Sequence, residues 1–163
     1  MPDPAGFVDY YQQCETALAD FFKASLPDQF PEEFQVTDNE ADLLRGKDYY
    51  LLFRPGAIPD RPATFQSGSF TYLDWRVNVH LFTRYKEKKM QWPQFKRFRA
   101  LVMYVMEINQ MLPNNGNVEK IVSYSAPEDA QYWKFRNTPV DADPNMMTQP
   151  FSVVVRQRVA HNG

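Results

Sequence analysis

The sequence holds one cysteine, two histidines and six glycines among 163 residues, and it has no long apolar run. Each shortage closes off a class of function. A single cysteine, Cys14, forbids an intramolecular disulfide and any cysteine-based zinc cluster, a pattern expected of a chain kept in a reducing compartment such as a cytoplasm. Cys14 falls on the apolar stripe of a predicted helix, where packing accounts for it. His80 sits in the middle of a strand pattern and His161 is the third residue from the end, so neither is placed for a Cys–His dyad. No GxSxG elbow is present, and none of the glycines forms GxGxxG or GxxxxGK. Neighbouring acids such as Glu32 and Glu33 point apart on a strand or loop, and no DxDxDG-type loop occurs. No apolar stretch approaches the roughly 20 residues of a membrane helix. The opening MPDPAGFVDYY lacks the basic and apolar regions of a signal peptide. The expectation is therefore no catalytic residue, no cofactor, no metal site and no membrane partner.

Aromatic residues are abundant: 13 Phe, 9 Tyr and 3 Trp make up 15% of the chain, within a hydrophobic fraction of 44%. Large flat side chains serve cores and protein interfaces alike. At this length one domain spanning 1–163 is expected, with a single sizeable core. The net charge of −2 conceals a polarity, since residues 1–42 carry −9 and the remainder +7. Seven bases lie between Arg84 and Arg99, against one acid, Glu87. Solvated faces of one domain would account for this, and so would an acidic patch docking on a neighbour's basic patch.

Helical spacing of Phe7, Tyr10, Tyr11, Cys14, Leu18, Phe21 and Phe22 predicts a helix from about Pro4 to Leu26, capped by Asp3 and ended by Pro27. EEFQVT reads as a short strand, and DNEADLLRG as a turn with one helical turn in it. Asp48–Arg54, DYYLLFR, is apolar on both faces and should be an interior strand. Pro55–Ser69 carries three prolines and two glycines and no period, which predicts a long loop.

FTYLDWRVNVHLFTRY, Phe70 to Tyr85, then alternates for sixteen residues, about three times the usual strand length. Thr71, Leu73, Trp75, Val77, Val79 and Leu81 form its core face; Phe70, Tyr72, Asp74, Arg76, Asn78, His80, Phe82 and Arg84 form the other. QWPQFKRFRALVMYVMEINQML gives a second helix with Phe95, Phe98, Val102, Val105 and Leu112 on its stripe, broadened by Leu101, Met106 and Ile108, and stopped by PNNGN. Strands are predicted at Val118–Ser125, Gln131–Asn137 and Phe151–Val159, with a second long loop at 138–150. The fold class is then α+β, a mostly antiparallel sheet with two amphipathic helices packed on one face. Only the second helix supplies a connection long enough for a parallel crossover.

The basic run RYKEKKMQWPQFKRFR interleaves aromatics in the manner of a nucleic-acid surface. Trp92, Phe95 and Phe98 sit at helical spacing and should face the core, and the isoelectric point near 5.7 argues against specific DNA binding. The features left are long irregular loops, an aromatic and basic strand face, and charge asymmetry. Together they point to an assembly subunit, with Arg76, His80, Arg84, Lys86, Lys88 and Lys89 on one side of an inter-subunit contact and Asp38, Glu40 and Asp42 on the other.

In the order helix PAGFVDYYQQCETALADFFKAS, strand DYYLLFR, long loop, strand FTYLDWRVNVHLFTRY, helix PQFKRFRALVMYVMEINQML and final strand FSVVVRQRV, the chain resembles the tail terminator (tail completion) proteins of long-tailed bacteriophages. These are small α+β subunits that form a ring at the head-proximal end of the tail tube. The resemblance covers most of the chain and lies in architecture and size. It implies a homo-oligomeric, hexameric ring, a tail tube protein and a head-proximal connector protein as partners, DNA passing through the lumen without specific binding, and location in the virion after assembly in the host cytoplasm. Other head–tail connector or neck subunits, and a nucleic-acid-binding module, are the alternatives.

Overall fold

In a computed structural model, residues 4–29, 34–44, 47–53, 61–84, 92–115, 117–132 and 146–160 are described. The fold is α+β: two helices lie on one face of a mixed, mostly antiparallel sheet. Helix α1 runs Tyr10–Gln29, starting later than its apolar spacing suggests. Its cap is Asp9, whose carboxylate accepts the Gln12 backbone N–H at 3.0 Å. The preceding residues turn instead, with Phe7 donating to the Pro4 carbonyl, and Phe7 is 57% exposed rather than on the buried stripe. Pro27 does not end the helix. It lies in the last turn, where it withholds one backbone bond, that to the Lys23 carbonyl, and the helix continues only two residues further.

Strands β1 (Phe34–Thr37), β2 (Tyr49–Phe53), β3 (Ala63–Ser67) and β4 (Phe70–Arg84) follow, then helix α2 (Trp92–Ile108). Strands β5 (Met111–Asn115), β6 (Val118–Tyr124), β7 (Gln131–Tyr132) and β8 (Met146–Ala160) complete the chain. The sheet order is β1-β2-β4-β8-β6-β5, with β3 beside β4 and β7 beside β8. Its axis is the β4–β8 pair, which stays in antiparallel register from Phe70↔Ala160 to Arg84↔Met146. At about 3.3 Å per residue these strands reach roughly 50 Å. The long strand is matched by an equally long C-terminal one.

Three expected loops or stops are strands instead. The second half of the Pro55–Ser69 segment is β3, joined to β4 by the two-residue turn Gly68-Ser69, with Gly68 at φ 61° as the first position of a tight hairpin turn favours. Helix α2 ends at Ile108, which is 57% exposed rather than on the buried stripe, four residues before Leu112, and Leu112 is buried from β5. Strand β8 begins at Met146, inside the expected 138–150 loop, and passes through Pro150. The proline is tolerated because Pro150 and Ser152 turn their main-chain groups toward residues 125–130, the gap between β6 and β7. There the Pro150 carbonyl accepts from the Glu128 N–H, and no ladder donor is needed.

The parallel pair is also not where connection length placed it. Strands β1 and β2 pair in parallel, Phe34↔Tyr49 to Thr37↔Leu52, across a short link that contains the 3-10 turn Glu40–Leu44. β4 and β6 flank β8 instead of pairing with each other.

Two cores result, one on each side of the sheet. On the helix side Cys14, Leu18, Phe21 and Phe22 of α1 and Phe95, Phe98, Val102 and Val105 of α2 pack on Leu51, Phe53, Val77, Val79, Leu81, Val153 and Val155. On the outer side Leu43 of the 3-10 turn closes over Tyr50, Leu52, Phe82 and Met146, each at most 1% exposed. β2 is apolar on both faces because it serves both cores. Burial of side chains this size contributes about 1.5–3 kcal/mol each.

Candidate interaction surfaces

A polar bridge fixes α1 to the sheet. Gln157 is wholly buried; its side-chain oxygen accepts the Trp75 indole N–H at 3.2 Å and its amide donates to the Gln13 oxygen at 2.7 Å. Tyr11 meets Trp75 edge-on at 5.7 Å. Register makes this possible, since Gln157 lies diagonally to Trp75 on the helix-side face.

The outer face is built differently. At the β3–β4 end Phe65 and Tyr72 stack at 4.8 Å with planes 8° apart. Arg156 binds Asp74 through two parallel bonds of 2.9 and 3.1 Å while its guanidinium lies 4.7 Å over the Phe65 ring. The bond to Asp74 is the main reason the Arg156 pKa is raised further. Arg158 pairs with Glu119 at 3.5 Å and covers Phe70 at 4.5 Å. These two guanidiniums are satisfied within the chain.

Beside this rank lies a depression of about 540 Å³, whose lining includes Arg61, Arg76, Asp74, Ser123 and Val154. Arg61 and Arg76 are exposed and, unlike Arg156 and Arg158, have no hydrogen-bond or ion-pair partner among the described residues. Asp74 is already held by Arg156. The depression therefore carries uncompensated positive charge beside the apolar side chains of Ala63, Val122 and Val154.

A second hollow, of about 310 Å³, opens between α1, β1 and the 3-10 turn and is lined by Glu15, Asp20, Asp38 and Asp42 with Lys23 as its cation. Asp42 accepts hydrogen bonds from the Thr37 hydroxyl and from the Gln35 amide at 3.4 Å. Glu15 is only 7% exposed. Burial pushes its carboxyl above the ordinary carboxylate range, the charges of Asp38 and Asp9 add to this, and a hydrogen bond with Tyr11 opposes it. Burial likewise pushes the Tyr11 hydroxyl up to about 12 and the Cys14 thiol up to about 12. Among the described residues no group of three or more His, Cys, Asp or Glu side chains is arranged to hold a metal ion. No described helix is long and apolar enough to cross a membrane.

The expected contact residues separate into four groups. Asp38 is exposed on the rim of the acidic hollow and Asp42 lines it, while Glu40 opens the 3-10 turn beside them. Arg76 reaches the basic depression. Two others are engaged within the chain: Arg84 donates to the Leu43 carbonyl at 3.0 Å and the Lys47 carbonyl at 3.4 Å, anchoring the 3-10 turn, and half-buried His80 stacks 6.2 Å from Phe82. Lys86, Lys88 and Lys89 lie outside the described residues, as do Glu32, Glu33 and His161.

From the basic run, α2 buries Phe95 and Phe98 and exposes Lys96 and Arg97, as their spacing predicts. Cys14 belongs to the helix-side core and His80 to the outer face, so the sheet separates them.

Sequence reasoning did not single out Arg61, Asp74, Arg156 or Arg158 as site residues. Alternation puts both C-terminal arginines on the polar face of their strand, but only the β4–β8 register brings Asp74 opposite Arg156. No protein-family model matches the chain, and the search of curated proteins returns no match.

Proposed function

We propose that this chain is a structural subunit that assembles with copies of itself, a tail-terminator-like protein forming a ring at the head-proximal end of a phage tail tube. The observation that carries this reading is the placement of opposite charge. An acidic hollow on the β1 side and a basic depression on the outer face of β3, β4, β6 and β8 share no residue. Two different patches on one subunit suit head-to-tail contacts, which close into rings when the rotation permits. The paired fifteen-residue strands support it too, because their β3 end carries five exposed residues that the helices do not cover.

In this reading the ring is hexameric, as the resemblance implies, and its neighbours are the tail tube protein and the head-proximal connector protein. DNA crosses the lumen without specific contacts, and the protein resides in the virion after assembly in the cytoplasm. Another head–tail connector or neck position fits the same surfaces.

A nucleic-acid-binding module is the second reading, favoured by the arginines and aromatic rings on the outer sheet face. The two readings part in solution. Sedimentation velocity over a concentration series should resolve a discrete oligomer if subunits assemble. A monomer that instead binds DNA with an affinity falling steeply with salt would favour the second.

A further inference from the structure

We propose that the Arg61/Arg76 depression is the receiving half of a contact between copies, and that its occupant is the acidic rim of a second copy, led by Asp38. This rests on the self-assembling reading and names the surfaces through which it works.

Besides Arg84, which main-chain carbonyls of Leu43 and Lys47 hold, four described arginines stand on the outer face, and the contrast among them is informative. Arg156 and Arg158 each have a carboxylate from the same chain, Asp74 and Glu119. Arg61 and Arg76 have none among the described residues, yet both line one hollow. Two guanidiniums lining one hollow repel each other until an anion shares them, and a planar fork binds a carboxylate best. Val154 in the lining suits the short methylene stem of an acidic side chain, and the Ser123 hydroxyl can donate to its carboxylate.

The same chain presents the complement. Asp38 is exposed, and it stands with Asp20, Asp42 and Glu15 around a hollow with one lysine. Mutual repulsion there is relieved by a cation, and Asp38 already raises the pKa of Glu15. Because the acidic rim belongs to α1, β1 and the 3-10 turn and the depression to β3, β4, β6 and β8, one copy can donate to a second while receiving from a third.

The test uses the full chain and two charge reversals, R61E/R76E and D38R. All three positions are exposed, so circular dichroism should report unchanged folds. In sedimentation velocity at low salt, each variant should weaken association at least about tenfold. An equimolar mixture of the two should assemble again, since each supplies the charge that the other has lost. Rescue on mixing supports the contact.

If wild type assembles and either reversal leaves its sedimentation unchanged, the contact is overturned while the self-assembling reading stands. If wild type stays monomeric at every concentration, both fall. If R61E/R76E abolishes binding of a single-stranded oligonucleotide but not assembly, the depression serves phosphate and the second-copy occupant is overturned.

Discussion

Replacing Gln157 by leucine tests how α1 is held to the sheet. Gln157 is fully buried and both ends of its amide are used, by Trp75 and by Gln13. Gln157→Leu keeps the volume but strands the half-buried Trp75 indole N–H, and a buried donor left without a partner costs about 1–3 kcal/mol. Gln13 is exposed, so in Gln157→Leu water replaces the partner it loses, whereas Gln13→Ala strips the acceptor from the buried Gln157 amide and should itself cost about 1–3 kcal/mol. With a urea m-value of about 2 kcal/mol/M, Gln157→Leu should lower the midpoint by roughly 0.5–1.5 M.

Trp75→Phe leaves the Gln157 oxygen unpaired in its turn. The double variant Trp75→Phe/Gln157→Leu removes both partners, so its loss should fall short of the summed single losses by about 1 kcal/mol or more. Far-UV circular dichroism in urea measures all four variants. Additive losses, or a Gln157→Leu midpoint equal to wild type, would refute the bridge.

Leu43→Ala empties the centre of the outer core and should destabilise by about 2–5 kcal/mol, with faster amide exchange along the β1–β2 ladder as the local readout. Glu15 has a raised pKa in the folded state, so the folded protein binds this proton more tightly than the unfolded chain does. Stability from this group is greatest below the unfolded value of about 4.3, declines as pH rises through the folded pKa and is level above it. Glu15→Gln should therefore raise the urea midpoint near neutral pH, and the advantage over wild type should vanish below about pH 4. Cys14, fully buried with its thiol pushed up to about 12, should react with a disulfide reagent only as fast as the protein unfolds.

The sequence pattern is most legible where side-chain periodicity is unambiguous. Tyr49, Leu51 and Phe53 against Tyr50 and Leu52 predicts an interior strand, and β2 proves to serve two cores. Val77, Val79 and Leu81 mark the helix-side face of β4 just as their alternation indicates. Less was legible where punctuation residues carried two meanings. Pro27 reads as a helix terminator and Pro150 as part of a loop, yet one sits in a last helical turn and the other lies within a strand, facing a gap between its neighbours. The Gly68-Ser69 pair, flanked by ATFQS and FTYL, is a hairpin signal that the nearby prolines obscured.

The candidate surfaces were half legible for a related reason. Charge along the chain separates Asp38 and Asp42 from the bases, but which arginines keep a partner at home depends on strand register. Asp74 lies 82 residues from Arg156 in sequence, and no local pattern joins them. Arg84 looked like a surface charge because its alternation is right; a main-chain segment from a different strand connection occupies it.

The self-assembling subunit is the central claim, and negative-stain imaging of the purified protein, alone and mixed with phage tail tubes, tests it most directly. Discrete rings, or tubes capped at one end, are the expected outcome. Featureless monomers that leave the tube ends bare at every protein concentration would contradict it.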